Sequence, residues 1–517
     1  MATPLMAASS TTVDQSRPLW GSLEPGTYEV GFRRVFAFDK SRTWQSTRDY
    51  TGRFSPDLLG RPIQVNVWYP ASPGSKRTAM IFGDYVEQRS PPAFSALNDI
   101  MLVRNREVVS DSFDNASATK LLSTSMGAFK DVASLNGPFP LVIIVGGLNA
   151  EINANVVLAE YLASHGYVVA SISLTGSVAD QPSQSRSPDD IETAVRDIEF
   201  VTSVVCDGKN VDCRKLAVIG HSVGAVDALV FARRNGNVLA AIGLDGTYAF
   251  KGNQTVLSGA YGYHSSAVLP AILDLRRAQG EQSADLDLEP ILALSHADRT
   301  LVSLRKMHHS DFTSFAMSSE KFEVPTKATY NGTGWNRATA RSGYESVSRI
   351  VLAFLDDKVK REKQAAASFL TSVNQAKPAS FRHIDATPRA PNPAEFVDLL
   401  STRPIDDIHA IFRDGCSGGQ LSDCVDQDRF NNFGYDLLHQ KRVSEAVAVF
   451  DLVAWAHPGS ANAQDSLADG YMAQGNRGKA KDSVERALAL APHDESLDDA
   501  EKAQTIATET KRLQELQ

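Results

Sequence analysis

The sequence predicts an α/β protein, a mostly parallel, doubly wound sheet, followed by an all-α helical tail. Three observations predict it. Up to residue 365, short β-branched runs alternate with helical patterns, the order expected when strands and crossover helices succeed one another. The middle runs are nearly continuous apolar residues, as in strands covered by helices on both faces. Beyond residue 395 the strand signal stops and an internal repeat of 34 residues takes over.

Five runs carry the strand signal: Ile63–Tyr69, Leu141–Val145, Tyr167–Ser173, Leu216–Ile219 and Leu239–Leu244. Ala271–Leu275 and Leu301–Leu304 are further candidates. The first run alternates apolar and polar residues, which fits an antiparallel strand near an edge. Helices read over Ala154–Ser164, Asp190–Val205, Val223–Arg234 and Tyr344–Lys360. The implied plan is a loose polar leader over 1–20, an α/β domain over 21–365, a linker over 366–395 and a helical domain over 396–517. An insertion over 75–136 is either a wall or lid over a pocket or a layer covering a sheet edge. The linker reading rests on the Pro, Ala and charge cluster KPASFRHIDATPRAPNPAEF.

In the tail, Phe433, Leu437, Ala446 and Pro458 recur as Leu467, Tyr471, Ala480 and Pro492. The period and the small, large and proline positions match a tetratricopeptide (TPR) pattern. Two such repeats do not easily bury their own faces. The tail is therefore expected to pack on the α/β domain, on Phe396–Arg413 or on another chain, as a stability element, a homodimer contact or a groove for a protein partner.

Composition narrows the classes. The chain has 517 residues, 43% hydrophobic and 22% charged, which is ordinary for a globular protein and excludes a disordered or fibrous one. The 52 basic residues against 61 acidic ones give a net charge of −9 with no basic block, so no nucleic-acid partner is expected. No run of about 18 apolar residues occurs, so no transmembrane segment is expected. Residues 1–16 lack a positive region and an apolar core, so no signal peptide is seen. The four cysteines form two close pairs, Cys206 with Cys213 and Cys416 with Cys424. Local pairing into disulfides is the simplest connectivity and implies a periplasmic or secreted protein. Neither pair has zinc-like spacing. No metal site and no nucleotide loop are read, and no cofactor is expected.

The chemistry-bearing motif is Gly220-His221-Ser222-Val223-Gly224, which follows the strand LAVI and opens a helix. G-x-S-x-G between strand and helix is a nucleophile elbow, a sharp turn that lifts the serine hydroxyl above the sheet. A serine nucleophile needs a base and an acid that orients the base, both later in the chain in this arrangement. The pair His308-His309 follows the last strand candidate and supplies the base. Asp245, Asp274 and Asp298 are the acid candidates, and spacing alone divides the role between Asp245 and Asp274. Two backbone donors would hold an oxyanion, the N–H of Val223 and that of Leu148 in Gly146-Gly147-Leu148-Asn149.

The ordered segments GTYEVGFR, RPIQVNVWYPAS, FPLVIIVGGLNA, LAEYLASHGYVVASIS, LAVIGHSVGA, AAIGLDGTYAF and HHSDFTSF resemble the plasma-type platelet-activating-factor acetylhydrolase family and the broader dienelactone-hydrolase-like esterases. The resemblance runs from Gly26 to Lys360. It implies an α/β-hydrolase fold and metal-free ester hydrolysis by Ser, His and Asp. It selects Asp245 as the acid and His309 as the base, with His308 in reserve, and matches Leu148 and Val223 to the oxyanion donors. The family commonly has a histidine where Gly146 stands, and the helical tail is outside its pattern.

The expected function is that of a serine carboxylic ester hydrolase acting through Ser222, His309 and Asp245 on esters with an apolar acyl or alcohol group: short acyl esters, phospholipid-type esters or polyesters. Aromatic residues in 247–264, with those of 75–136 and 312–333, carry the apolar expectation. Two other readings are a serine peptidase or acyltransferase on the same triad, and a TPR scaffold with an inactive hydrolase domain.

Overall fold

The computed structural model describes residues 17–46, 48, 51–72, 74, 77–172, 174–324, 334–416 and 420–516. Residues 1–16 of the leader expected over 1–20 lie outside them. The chain divides into two compact units, Met1–Ala386 and Thr387–Gln517.

The first unit is built on one eleven-stranded sheet. In chain order its strands are β1 (Glu29–Asp39), β2 (Arg61–Ala71), β3 (Ala79–Ile81), β4 (Ser125–Lys130), β5 (Phe139–Val145), β6 (Val168–Ile172), β7 (Val211–His221), β8 (Val238–Leu244), β9 (Ala271–Arg277), β10 (Arg299–Leu304) and β11 (Ser380–Ile384). They lie in the order β11-β10-β9-β8-β7-β5-β6-β2-β1-β4-β3. The stretch from β6 through β5, β7, β8 and β9 to β10 is parallel. β2 runs antiparallel to both β6 and β1. This is an α/β-hydrolase-like sheet followed by an all-α region.

Parallel strands need crossover helices, and these cover both faces. The alternation hidden in the continuous apolar runs shows in the packing. Val142 and Ile144 of β5 point into one core with Ala217 and Ile219 of β7. Leu141, Ile143 and Val145 point into the other with Leu216 and Val218. Helices Pro188–Cys206 and Gly224–Arg234 contribute to the second core, and Val156–Ser164 and Arg337–Leu355 to the first.

Several expectations are corrected. The run Ile63–Tyr69 is antiparallel but interior, buried along the whole of β2, because β1, β4 and β3 continue the sheet beyond it. The segment 366–395 is not a plain linker. Helix Ala365–Ala376 packs Phe369 on Phe354, and β11 adds antiparallel to β10. Its apolar residues are sparse because β11 is an exposed edge. The leader ends earlier than residue 20: Leu19 and Trp20 are buried, and Trp20 Nε1 donates to Glu160 at 2.9 Å. The insertion supplies β3 and β4 to the sheet edge and also the helix Ser95–Ser112.

The second unit is helical. Helices start at Gln427 and Val443 and again, 34 residues on, at Ala461 and Arg477. Phe396, Ile408 and Phe412 join Phe430, Leu437, Phe450 and Val453 in one core. Of the expected packing surfaces, Phe396–Arg413 is thus used within this unit. Gly434 is required there, since a Cβ would stand 2.5 Å from the Phe450 ring.

The cysteines pair locally, Cys206 with Cys213 and Cys416 with Cys424, each with Cα atoms 5.9 Å apart. No described helix is long and apolar enough to cross a membrane.

Candidate active site

The end of β7 delivers Ser222. Its φ is +57°, a left-handed value that a serine adopts only when its surroundings impose it. The surroundings are visible. Ser222 N donates to Leu244 O at 3.1 Å, and Thr247 N donates to Ser222 O at 3.0 Å, so the turn is pinned to the end of β8. Helix Gly224–Arg234 starts at once. A Cβ at Gly220 would stand 2.1 Å from Gly224 O, and one at Gly224 would stand 2.3 Å from Gly146 O. Glycine is therefore demanded at both positions by close backbone approach.

Asp245, the residue after β8, also has a left-handed φ of +47° and is fully buried. Its Oδ2 lies 2.6 Å from His309 Nδ1. Its Oδ1 accepts the Arg277 backbone N–H at 3.1 Å, and Arg277 Nε stands 3.1 Å from Oδ2. Burial alone would raise this carboxyl, but the His309 hydrogen bond and the Arg277 cation outweigh it and hold Asp245 below its ordinary value.

His309 follows β10 in a short 3₁₀ turn, His309–Phe312. Its N–H donates to Gln282 Oε1 at 2.8 Å, and Gln282 Oε1 also accepts from Arg277 Nη1. The His309 ring sits 5.7 Å from the Phe250 ring and 4.7 Å from the His221 ring. His221 Nε2 donates to His309 O at 3.1 Å. Burial, then the neighbouring His309, pushes the His221 imidazole down to about 3, so it is neutral. The residue preceding the nucleophile thus holds the histidine loop directly. No Ser222–His309 hydrogen bond is formed among the described residues; the Ser222 hydroxyl lies 3.4 Å from Thr247 Oγ1. Such bonds are often long until substrate arrives.

The loop after β5 lies against the elbow, with a Cβ at Gly147 falling 3.2 Å from Ser222 Cβ. Its shape is fixed by Asn149, at φ +55°. Asn149 Oδ1 accepts from Gln184 N and from Arg104 Nη2, both at 2.9 Å. Arg104 comes from the insertion and also donates to Leu174 O at 2.6 Å. Part of the insertion therefore braces this loop. The Val223 and Leu148 N–H groups donate to no protein acceptor among the described residues.

The reserve candidates go elsewhere. His308 stacks on Trp335 at 4.0 Å, and burial pushes it down to about 4. Asp274 accepts from Tyr248 Oη at 2.8 Å and pairs with Arg276. Asp298 Oδ1 accepts from Ala386 N at 2.9 Å. None of these contacts involves a residue of the elbow. Among the aromatics expected to flank the site, Phe250 stands beside His309, Tyr248 is buried on Asp274, and Tyr261 is exposed and bonded to Asp189. Part of the segment 312–333 lies outside the described residues.

Arg277, Gln282, Arg104 and the bond from His221 to the His309 carbonyl are not legible in the sequence. The only local signal is the Arg276-Arg277 pair closing β9, which reads equally well as an exposed strand end.

Comparison with known proteins gives a partial match. A family model described as PETase: PET hydrolase-like matches residues 130–255, which span the Gly147 loop, Ser222 and Asp245. A solved structure of ferulic acid esterase from Streptomyces cinnamoneus is 19% identical, with a TM-score of 0.44, covering 66% of this chain and 93% of that one. No curated protein matches the chain. Fold and family-model match define the class: an α/β-hydrolase and, within it, a carboxylic ester hydrolase.

Proposed function

We propose that the protein hydrolyses carboxylic esters through Ser222, His309 and Asp245. The observation that carries the reading is the buried Asp245 carboxylate bonded to His309 Nδ1 at 2.6 Å, beside a serine held in a left-handed turn. Asp245 fixes the tautomer in which Nδ1 carries the proton and leaves Nε2 free as a base. Ser222 Oγ attacks the ester carbonyl as His309 Nε2 takes its proton. The Val223 and Leu148 N–H groups hold the oxyanion, a contribution of about 3 kcal/mol each. The protonated His309 then gives its proton to the leaving alcohol. Water, activated by the same imidazole, resolves the acyl-enzyme and releases the acid.

The substrate is an ester with an apolar acyl or alcohol part. Phe250 and the half-exposed Leu148 support this beside His309 and at the oxyanion loop. The PET hydrolase-like match favours aromatic or polymeric esters over phospholipids. The two disulfides favour an oxidising location, periplasmic or secreted. The helical unit is read as a TPR-like module for a homodimer contact or a protein partner.

A panel of p-nitrophenyl esters graded in acyl length, with an aromatic diester and a phospholipid, tests the reading. Hydrolysis of the apolar esters, lost in Ser222→Ala, is expected. Turnover retained in Ser222→Ala overturns it.

A further inference from the structure

We propose that a cleft on the β9–β10–β11 face of the sheet binds a small carboxylate with an apolar body. None of Ser222, His309 and Asp245 lines the cleft, and the proposal stands independently of the triad.

The strand register builds it. Ser303 of β10 sits opposite Arg276 of β9 and Ser380 of β11, so the three form one cross-strand row. Two residues back, Leu301 sits opposite Asp274 and Arg382, forming a second row on the same face. Past the strand ends, Ala278 and Arg305 extend this face. The segment after β9 walls it with Leu286 and Leu288. The result is a cleft of about 580 Å³, large enough for a ring-sized ligand.

Its chemistry is one-sided. Three guanidiniums border it, those of Arg276, Arg305 and Arg382, against one carboxylate, Glu281. Arg276 pairs with Asp274 beneath the cleft, yet its Nη1 is buried with no hydrogen-bond partner. Arg305 and Arg382 are exposed and make no ion pair or hydrogen bond among the described residues. Two unneutralised guanidinium forks beside serine hydroxyls match a planar carboxylate. Leu286, Leu288 and Leu301 offer an apolar wall to the remainder of the ligand. An inorganic anion would use the arginines and leave that wall wet; an apolar carboxylate uses both.

Titration calorimetry of the full chain with benzoate and with its neutral amide, benzamide, tests the site. Benzoate is expected to bind with a dissociation constant of about 1 mM or tighter, and benzamide at least tenfold more weakly. The Arg305→Gln/Arg382→Gln variant changes only exposed groups and is expected to weaken benzoate about tenfold while keeping its melting temperature and p-nitrophenyl acetate turnover. Protein modified at Ser222 by a fluorophosphonate is expected to bind benzoate unchanged. Absence of benzoate binding, equal binding of benzamide, undiminished binding by the double variant, or loss of binding on Ser222 modification would each overturn the proposal.

Discussion

Asp245 Oδ2 stands 2.6 Å from His309 Nδ1 while its other oxygen takes the Arg277 backbone N–H at 3.1 Å. One buried carboxylate thus joins the histidine loop to the end of β9. The Asp245→Asn change keeps the shape but offers an amide that can donate to Nδ1, turning the imidazole to the wrong tautomer. Turnover is expected to fall about ten-thousandfold, with KM little changed and the fold intact by circular dichroism.

Arg277 acts on the same pair from two sides. It faces Asp245 Oδ2 and shares Gln282 Oε1 with the His309 N–H. Arg277→Met is expected to lower turnover about tenfold, equivalent to about 1.4 kcal/mol of barrier. It also changes acid stability. The folded-state value of Asp245 is depressed, so its stabilisation is present above the ordinary carboxyl range and lost as pH falls through the folded value. Without the cation that folded value rises, and the loss begins at higher pH. Urea midpoints from pH 7 down to about 3 measure this, and in the Asp245→Asn background the difference between Arg277 and Met is expected to vanish.

His221 gives a second pH signature. Its imidazole is held neutral, down to about 3 against an ordinary 6.5. A base with a depressed folded value contributes stability above its unfolded value, and that stability drains away as pH falls from 6.5 toward 3. His221→Asn cannot titrate. Its unfolding free energy is expected to vary less across this window than the wild-type value. Turnover is expected to fall several-fold, because the His309 carbonyl loses the donor at 3.1 Å.

Gly224→Ala sets two effects against each other. Alanine is the better helix residue by about 1 kcal/mol. Its Cβ would stand 2.3 Å from Gly146 O and 2.6 Å from Val145 O, both backbone atoms that cannot swing aside. Overpacking of this kind costs about 1–3 kcal/mol, so the clash wins. A lower melting temperature is expected, with turnover reduced further because the Gly147 loop is pushed off Ser222.

The central strands were legible because β5, β6, β8 and the Leu216–His221 part of β7 are short, mostly apolar and buried runs that sequence pattern detects directly. β1, β3, β4 and β11 were not. β1 mixes arginines with aromatics, since its residues 33–38 are only partly buried. β3 has three residues. β11 is an exposed edge whose SFRHI sequence has the composition of a loop. At the site, the elbow was legible because a strand, two obligatory glycines and a helix are local in sequence. The acid was not legible from spacing, since Asp245 follows β8 and Asp274 lies within the next strand; the family resemblance selects Asp245, and in the structure Asp274 is taken up by Arg276 and Tyr248. Arg104, Arg277 and Gln282 act across long stretches of chain, where spacing carries no signal.

The most direct measurement is covalent labelling. A fluorophosphonate reacts only with a serine made nucleophilic by a neighbouring base. Digestion of labelled full-length protein followed by mass spectrometry is expected to find the adduct on Ser222, absent in Ser222→Ala and strongly diminished in His309→Ala. An adduct on another residue, or none on the folded wild-type protein, would contradict the account.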